Sequence, residues 1–425
     1  MTVCSTKISR KKLSELPYES STMTQPSAAG RNSINRYLPL FAAITAVTPL
    51  AIDMYLPAMP QIAGNLLTNI TTLQNSLSLY LFFYALGMFL FGPLADRFGR
   101  KKMLIIGLSG YSLFSLLLAL TSEINLFLIF RSLQAVFGGA ATLVIPGTIR
   151  LLFGKDTVKG LSYVSSIMMI APMLAPTIGG ALLELSDWRL IFLFLFGYSL
   201  FVLIISLRAF PNLEPTTEKV RGFKKLYLTS YQTILACRET RGLLMVSMIG
   251  SFTFFTYVTG ISFVYISLFN VSELTFGILF GLNVLVLMTA NLVNSKFSSR
   301  LGAIRMMGMI WVVALLSAIS LGASVLLQAE LWMVVVSLLP IMGCLMGIIV
   351  NADSLILIKF GQQTGTATAV IGTLRFGSGS LAGPLLTLLF DGTAFPFALL
   401  IFSGVLCIGA IHFGYNRRHQ LVFDS

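Results

Sequence analysis

The chain has 425 residues, 56% of them hydrophobic and only 11% charged, with 29 Lys and Arg against 16 Asp and Glu. A soluble fold of this length needs far more charge on its surface, so repeated apolar runs of about 20 residues read as membrane-spanning helices. The formal charge of +13 does not point to nucleic acid, because the basic residues gather in alternate connections between apolar runs.

Residues 1–36 are polar and rich in Ser, Thr and Lys, and read as a disordered cytoplasmic tail. Met23 is a second possible start, and no signal-peptide pattern follows. Twelve spans are predicted, at 37–59, 73–94, 102–121, 124–149, 160–184, 189–209, 242–266, 274–294, 303–327, 331–354, 365–390 and 394–415. The first six make an N-terminal bundle over 37–209. A polar cytoplasmic linker over 210–241 leads to a C-terminal bundle over 242–415, and 416–425 form a second cytoplasmic tail. Of the 29 Lys and Arg, all but Arg131, Arg189 and Arg375 fall in the tails or on the side of the odd-to-even alternation that the tails share. That bias places both termini in the cytoplasm. Cys4, Cys237, Cys344 and Cys407 show no paired spacing, and His412 and His419 have no partners in sequence, so neither a disulfide nor a metal site is expected. No nucleotide loop or nucleophile–base pairing appears either, so the chain is not read as an enzyme.

The stretch after the second span carries Gly92, Asp96, Arg97, Gly99, Arg100, Lys101 and Lys102. It reads as a charged, turn-forming loop, with Gly99 at a tight turn and Asp96 capping a helix or pairing with an arginine. Arg300-Leu301-Gly302 stands at the matching place after the eighth span, a short internal echo of Arg97-Phe98-Gly99. The fourth span holds Arg131 followed by Gln134 and then Gly138-Gly139-Ala140. The fifth holds Pro172, Pro176, Gly179 and Gly180. The first ends Asp53-Met54-Tyr55-Leu56-Pro57-Ala58-Met59-Pro60.

Taken in order, these motifs resemble the major facilitator superfamily, and within it the bicyclomycin/chloramphenicol-resistance (Bcr/CflA) branch of drug:proton antiporters. The resemblance covers about residues 37–415. It implies an all-α membrane protein with the major facilitator fold, twelve transmembrane helices in two six-helix halves. The loop with Gly92, Asp96, Arg97, Gly99 and Arg100 then acts as the gate of the inside/outside switch. Pro172, Pro176, Gly179 and Gly180 match the antiporter motif, with Ala171 where many relatives have glycine. Phe137 likewise replaces a common glycine in the fourth span. The expected setting is a bacterial inner membrane, with a small-molecule substrate, protons and the lipid bilayer as partners. A monomer is expected, with no nucleic acid and no cofactor beyond a proton gradient.

Asp53 lies sixteen residues beyond Tyr37, about 24 Å along the first helix, and Arg131 lies about 10 Å into the fourth from the other side. The similar depths make a direct or water-bridged contact between them feasible. Pro57 has no N–H for the Asp53 carbonyl. A carboxylate at that depth needs a partner or a proton, so Asp53 reads as a proton carrier tuned by Arg131, or else as half of a structural ion pair. Tyr55, Tyr80, Tyr84, Gln134 and Arg375 are candidate substrate contacts. Asp353 reads as a helix-end salt-bridge partner. Proton-coupled efflux of small amphipathic molecules is the first reading; export of an endogenous metabolite or siderophore, and a non-transporting membrane sensor, are the alternatives.

Overall fold

The computed structural model describes residues 36–153, 157–212, 235–360 and 364–423. The proposed tail over 1–35, most of the linker (213–234) and the last two residues of the C-terminal tail lie outside them. Among the described residues every regular element is helical. Span 1 is Leu38–Asp53, continued by a 3-10 turn at Leu56–Ala58 and a helix at Met59–Asn65. Span 2 is Ile70–Phe98, span 3 Arg100–Leu120, and span 4 Ile124–Thr142 followed by Val144–Phe153. Spans 5 and 6 are Thr157–Leu185 and Arg189–Ala209. Span 7 is Arg238–Ser262, which passes into a π-helical turn at Phe263–Leu268. Spans 8, 9 and 10 are Glu273–Leu301, Ala303–Leu326 and Leu331–Lys359. Span 11 is Thr364–Gly379 and, after a break, Ala382–Leu388; span 12 is Phe395–Phe423. Among the described residues ten helices are long and apolar enough to cross a membrane, and spans 5 and 11 complete the twelve.

Three expectations change. Span 1 runs past residue 59 to Asn65, because Pro57 and Pro60 each fall at the start of a new helical piece, where no N–H is required. Span 12 continues through most of the expected tail, to Phe423. The long charged loop after span 2 is not a loop. Helix runs through Phe98 and resumes at Arg100, so Gly99 alone turns the chain. Charges expected on a loop therefore sit on two helix ends. The side chains of Asp96 and Arg97 lie outside the described residues. The Arg100 guanidinium lies over Gly147 of span 4.

The internal echo is a structural repeat. Gly99 has φ 95° and ψ 138°, and Gly302, between spans 8 and 9, has φ 85° and ψ 141°. Leu67 (φ 50°) closes span 1, and Asn270 (φ 54°) closes span 7. The Asn69 side chain accepts from the Thr72 amide to cap span 2, as Ser272 accepts from the Thr275 amide to cap span 8. All three pairs share one residue offset, so the first three elements of each half are built alike.

Two antiparallel helix pairs join the halves. Spans 2 and 11 meet at Met88 with Gly372, at Tyr84 with Phe376 (ring centroids 4.7 Å apart), and at the Ser78 hydroxyl, which accepts from the Gly383 amide at 2.8 Å. The Thr387 hydroxyl reaches Asn75 beyond that. Spans 5 and 8 meet where Gly180 lies on the backbone of Glu273 and Gly277 lies on that of Thr177. A Cβ at Gly180 would stand 2.8 Å from the Glu273 carbonyl oxygen, so only glycine lets these backbones approach. Both pairs tighten towards the end of the bundle opposite the chain termini, here called the far end.

A Cβ at Gly99 or at Gly302 would meet nothing within 4 Å, so the backbone angle alone demands glycine there. Gly99→Ala and Gly302→Ala are expected to cost about 1–2 kcal/mol each, lowering the thermal unfolding temperature of the detergent-solubilised protein. Gly197→Ala in span 6, also without neighbours but at ordinary helical angles, should leave that temperature unchanged or raise it.

Candidate functional site

The site starts from a helix that stops. The regular helix of span 1 ends at Asp53, and Pro57 lacks the N–H that would extend it. In hydrocarbon a helix end cannot turn to water for its open carbonyls, so side chains and neighbouring helices close around this one. The Arg131 guanidinium, fully buried, donates to the Ala51 carbonyl at 2.5 Å. The Ser262 hydroxyl of span 7 donates to the Leu56 carbonyl at 2.7 Å. Gly179 of span 5 rests on the Met54 carbonyl, where a Cβ would be only 2.4 Å away. The break therefore touches three spans from both halves.

Both terminal nitrogens of Arg131 are bonded, while its buried Nε finds no partner among the described residues. Its second nitrogen donates to Gln134 Oε1 at 2.6 Å, and Gln134 Nε2 donates to the Ser115 hydroxyl at 2.7 Å. The guanidinium carbon lies 4.7 Å from the centre of the Tyr55 ring, 4.5 Å from that of Tyr80 and 5.5 Å from that of Phe192. Stacked cation–π contacts of this kind hold a buried arginine that has no acid beside it.

Asp53 and Arg131 form no ion pair, so the direct contact considered from their depths is not made. Arg131 acts on span 1 through the backbone two residues before Asp53. The carboxyl of Asp53 is 5% exposed and accepts no hydrogen bond among the described residues. Asp53 stands within electrostatic reach of Tyr257 on span 7. The buried Tyr257 hydroxyl has no hydrogen-bond partner among the described residues, and its ring stacks on Phe280 of span 8 at 5.8 Å. The one acid deep in the first half thus stands at the seam between halves.

The substrate-contact candidates separate. Tyr55 is fully buried, its hydroxyl 2.7 Å from that of Ser76 and its ring against Phe127 and Phe192. Both amide ends of Gln134 are taken. These two belong to the packing of the first half rather than to an open cavity, and Tyr80, also fully buried, is the floor beneath Arg131. Tyr84 bonds Thr142 at 2.7 Å and packs on Phe376 across the seam. Arg375 lies in the second half, away from Arg131. It donates to the Ser251 hydroxyl at 3.0 Å and to Asp353 at 3.2 Å, while Ser247 donates to the other Asp353 oxygen at 2.6 Å. Asp353 is thus the expected salt-bridge partner, joining spans 7, 10 and 11. Helix 5 runs unbroken through Pro172 and Pro176. Phe137, at its unusual position, fits because Gly110 of span 3 lies beneath its ring.

Tyr257 and Asn283 had no distinguishing signal as site residues. Tyr257 sits in an aromatic-rich run. Asn283 is 2% exposed, and neither end of its amide is bonded among the described residues. It lies three residues after Phe280, on the same helical face. The available signal was one amide side chain in an otherwise apolar part of span 8. A buried amide without partners marks a place where a ligand or water completes the bonding.

The model of the Major Facilitator Superfamily matches residues 41–384. The chain belongs to the Major Facilitator Superfamily. It is a membrane transporter and not an enzyme. It is 27% identical over 366 residues to a bicyclomycin resistance protein homolog of Haemophilus influenzae, covering 86% of this chain and 91% of that protein. It is 33% identical over 175 residues to a chloramphenicol resistance protein of Pseudomonas aeruginosa, covering 41% of this chain and 42% of that one. The fold matches the partially occluded, inward-open xylose transporter XylE of E. coli with a TM-score of 0.68, at 14% identity, over 90% of this chain and 97% of that one. The resemblance read from the motifs around Asp53, Arg97 and Pro172 agrees with these relatives.

Arg131→Lys keeps the charge but offers a compact ammonium in place of a planar fork. It cannot serve the Ala51 carbonyl and Gln134 together, and leaving one buried group unbonded is expected to cost about 1–3 kcal/mol. Thermal unfolding should fall accordingly, and Gln134→Leu in the same background should cost little more, because the two side chains act as one unit.

Proposed function

We propose that the protein exports small amphipathic organic molecules across a bacterial inner membrane in exchange for protons, as a monomer working by alternating access with both termini in the cytoplasm. The observation that carries this reading is Asp53, an acid without an ion partner, buried at the seam and held on a broken helix. A charge there is costly until it takes up a proton or meets a ligand. Its protonation state therefore biases the carrier between conformations that differ in how the seam is hydrated. Arg131 fixes the backbone that carries Asp53 to the first half, while Ser262 ties the next turn to the second. Movement of one half against the other then changes what the carboxyl faces. The Pro172-to-Gly180 motif adjoins both the Met54 carbonyl and span 8, so it sits where that movement would pass. The names of the resistance-protein relatives support an organic, drug-like substrate class.

The test is flux in proteoliposomes of the purified protein under an imposed pH gradient. Asp53→Asn is nearly isosteric and cannot cycle a proton. It should abolish uphill transport while leaving downhill substrate exchange measurable. Uphill transport by this variant at the wild-type rate would remove Asp53 from the coupling role.

A further inference from the structure

A cavity of about 480 Å³ lies on the outer wall of the first half, at the end where the termini emerge. It separates the start of span 1 from the last turns of span 6. Arg36 and Arg208 stand at its edge, and its walls include Leu40, Ala43, Val202 and Ile205. No acidic residue lines it, and neither arginine has an ionic partner among the described residues. The Tyr198 hydroxyl donates to the Ala43 carbonyl at 2.8 Å, pinning span 6 to span 1 at the cavity's inner side. Phe41 packs edge-on against Phe210 nearby.

We propose that this cavity binds one anionic phospholipid, its phosphate between Arg36 and Arg208 and an acyl chain along the apolar wall. Three features fit that occupant. The cavity spans about two helical turns, on the order of 10 Å, at the level where a helix leaves the hydrocarbon for the headgroups. Its charge is paired and of one sign, and guanidinium forks match phosphate oxygens. Its walls are apolar and open towards lipid, with Phe201 63% exposed beside them. Basic pockets between spans on the cytoplasmic side are where such headgroups are held. A soluble anion would use the arginines but leave the apolar wall empty. A zwitterionic lipid would fill the wall but bring a cation to the arginines.

Native mass spectrometry of the full-length protein tests this, with phosphatidylglycerol and phosphatidylcholine of identical chains as probes. The wild type should retain one phosphatidylglycerol per chain in preference to phosphatidylcholine. Arg36→Gln with Arg208→Gln should lower that retention by about tenfold. Ala43→Trp, which fills the cavity and keeps both charges, should lower it similarly. Arg300→Gln with Arg305→Gln, which removes equal charge from the second half, should leave it intact, and millimolar inorganic phosphate should not displace the lipid. Equal retention of the two lipids by the wild type would overturn the proposal. So would unchanged retention in the Arg36/Arg208 or Ala43 variants, an equal loss in the Arg300/Arg305 variant, or displacement by phosphate.

Discussion

A backbone carbonyl in hydrocarbon must find a donor inside the protein, and most of this structure's particular features follow from one place where the helix does not supply it. Pro57 stops the ordinary ladder of span 1 beside Asp53. At the break Arg131 reaches the Ala51 carbonyl, and Ser262 of the other half adds a bond to the Leu56 carbonyl, which also accepts from the Met59 amide. Arg131 in turn needs Gln134, Tyr55 and Tyr80 around it, because a buried guanidinium without such company is unstable. Glycine at 179 is required because the Met54 carbonyl comes so close. The polar core of the first half is therefore the set of partners of a broken helix. Asp53, buried at that break, stands beside the seam.

The seam has its own logic. Spans 2 with 11, and 5 with 8, are antiparallel pairs that approach at small residues and carry a few hydroxyl–amide contacts. Such contacts can be exchanged as a unit at modest cost, which suits two rigid halves that rock. Their rigidity comes from elsewhere: the Asp353–Arg375–Ser247–Ser251 network in the second half, and the reciprocal amide pair of Asn294 and Asn351 between spans 8 and 10. The single-residue turns at Gly99 and Gly302 keep spans 2 and 3, and 8 and 9, moving together.

Much of the architecture was legible in the chain. Apolar length and the placement of Lys and Arg give the spans. The shared Arg-x-Gly places Gly99 and Gly302 as equivalents, which their matching angles bear out. The depths of Asp53 and Arg131 were also readable, but their relation was not. Similar depth suggested a direct or water-bridged contact, whereas Arg131 bonds a main-chain oxygen, which no residue letter records. Tyr55 was a candidate cavity residue as an aromatic beside Asp53, and Gln134 as part of the Arg131 motif. Both are instead consumed by holding the arginine. Asn283 and Tyr257 were passed over because little in the sequence distinguishes them, and their open bonding capacity appears only in the packed structure. The length of the Gly92–Lys102 turn was misjudged because charge was read as loop, while helix propensity and one positive φ were enough to turn the chain.

We propose that the ionisation of Asp53 sets the balance between arrangements of the two halves. Spin labels at Leu67 and Leu388, exposed far-end positions on opposite halves, report that arrangement as a distance distribution by double electron–electron resonance. In lipid nanodiscs the wild type should redistribute between acidic and alkaline pH, and Asp53→Asn should show one distribution at both. A pH-dependent shift in Asp53→Asn equal to that of the wild type would contradict the account.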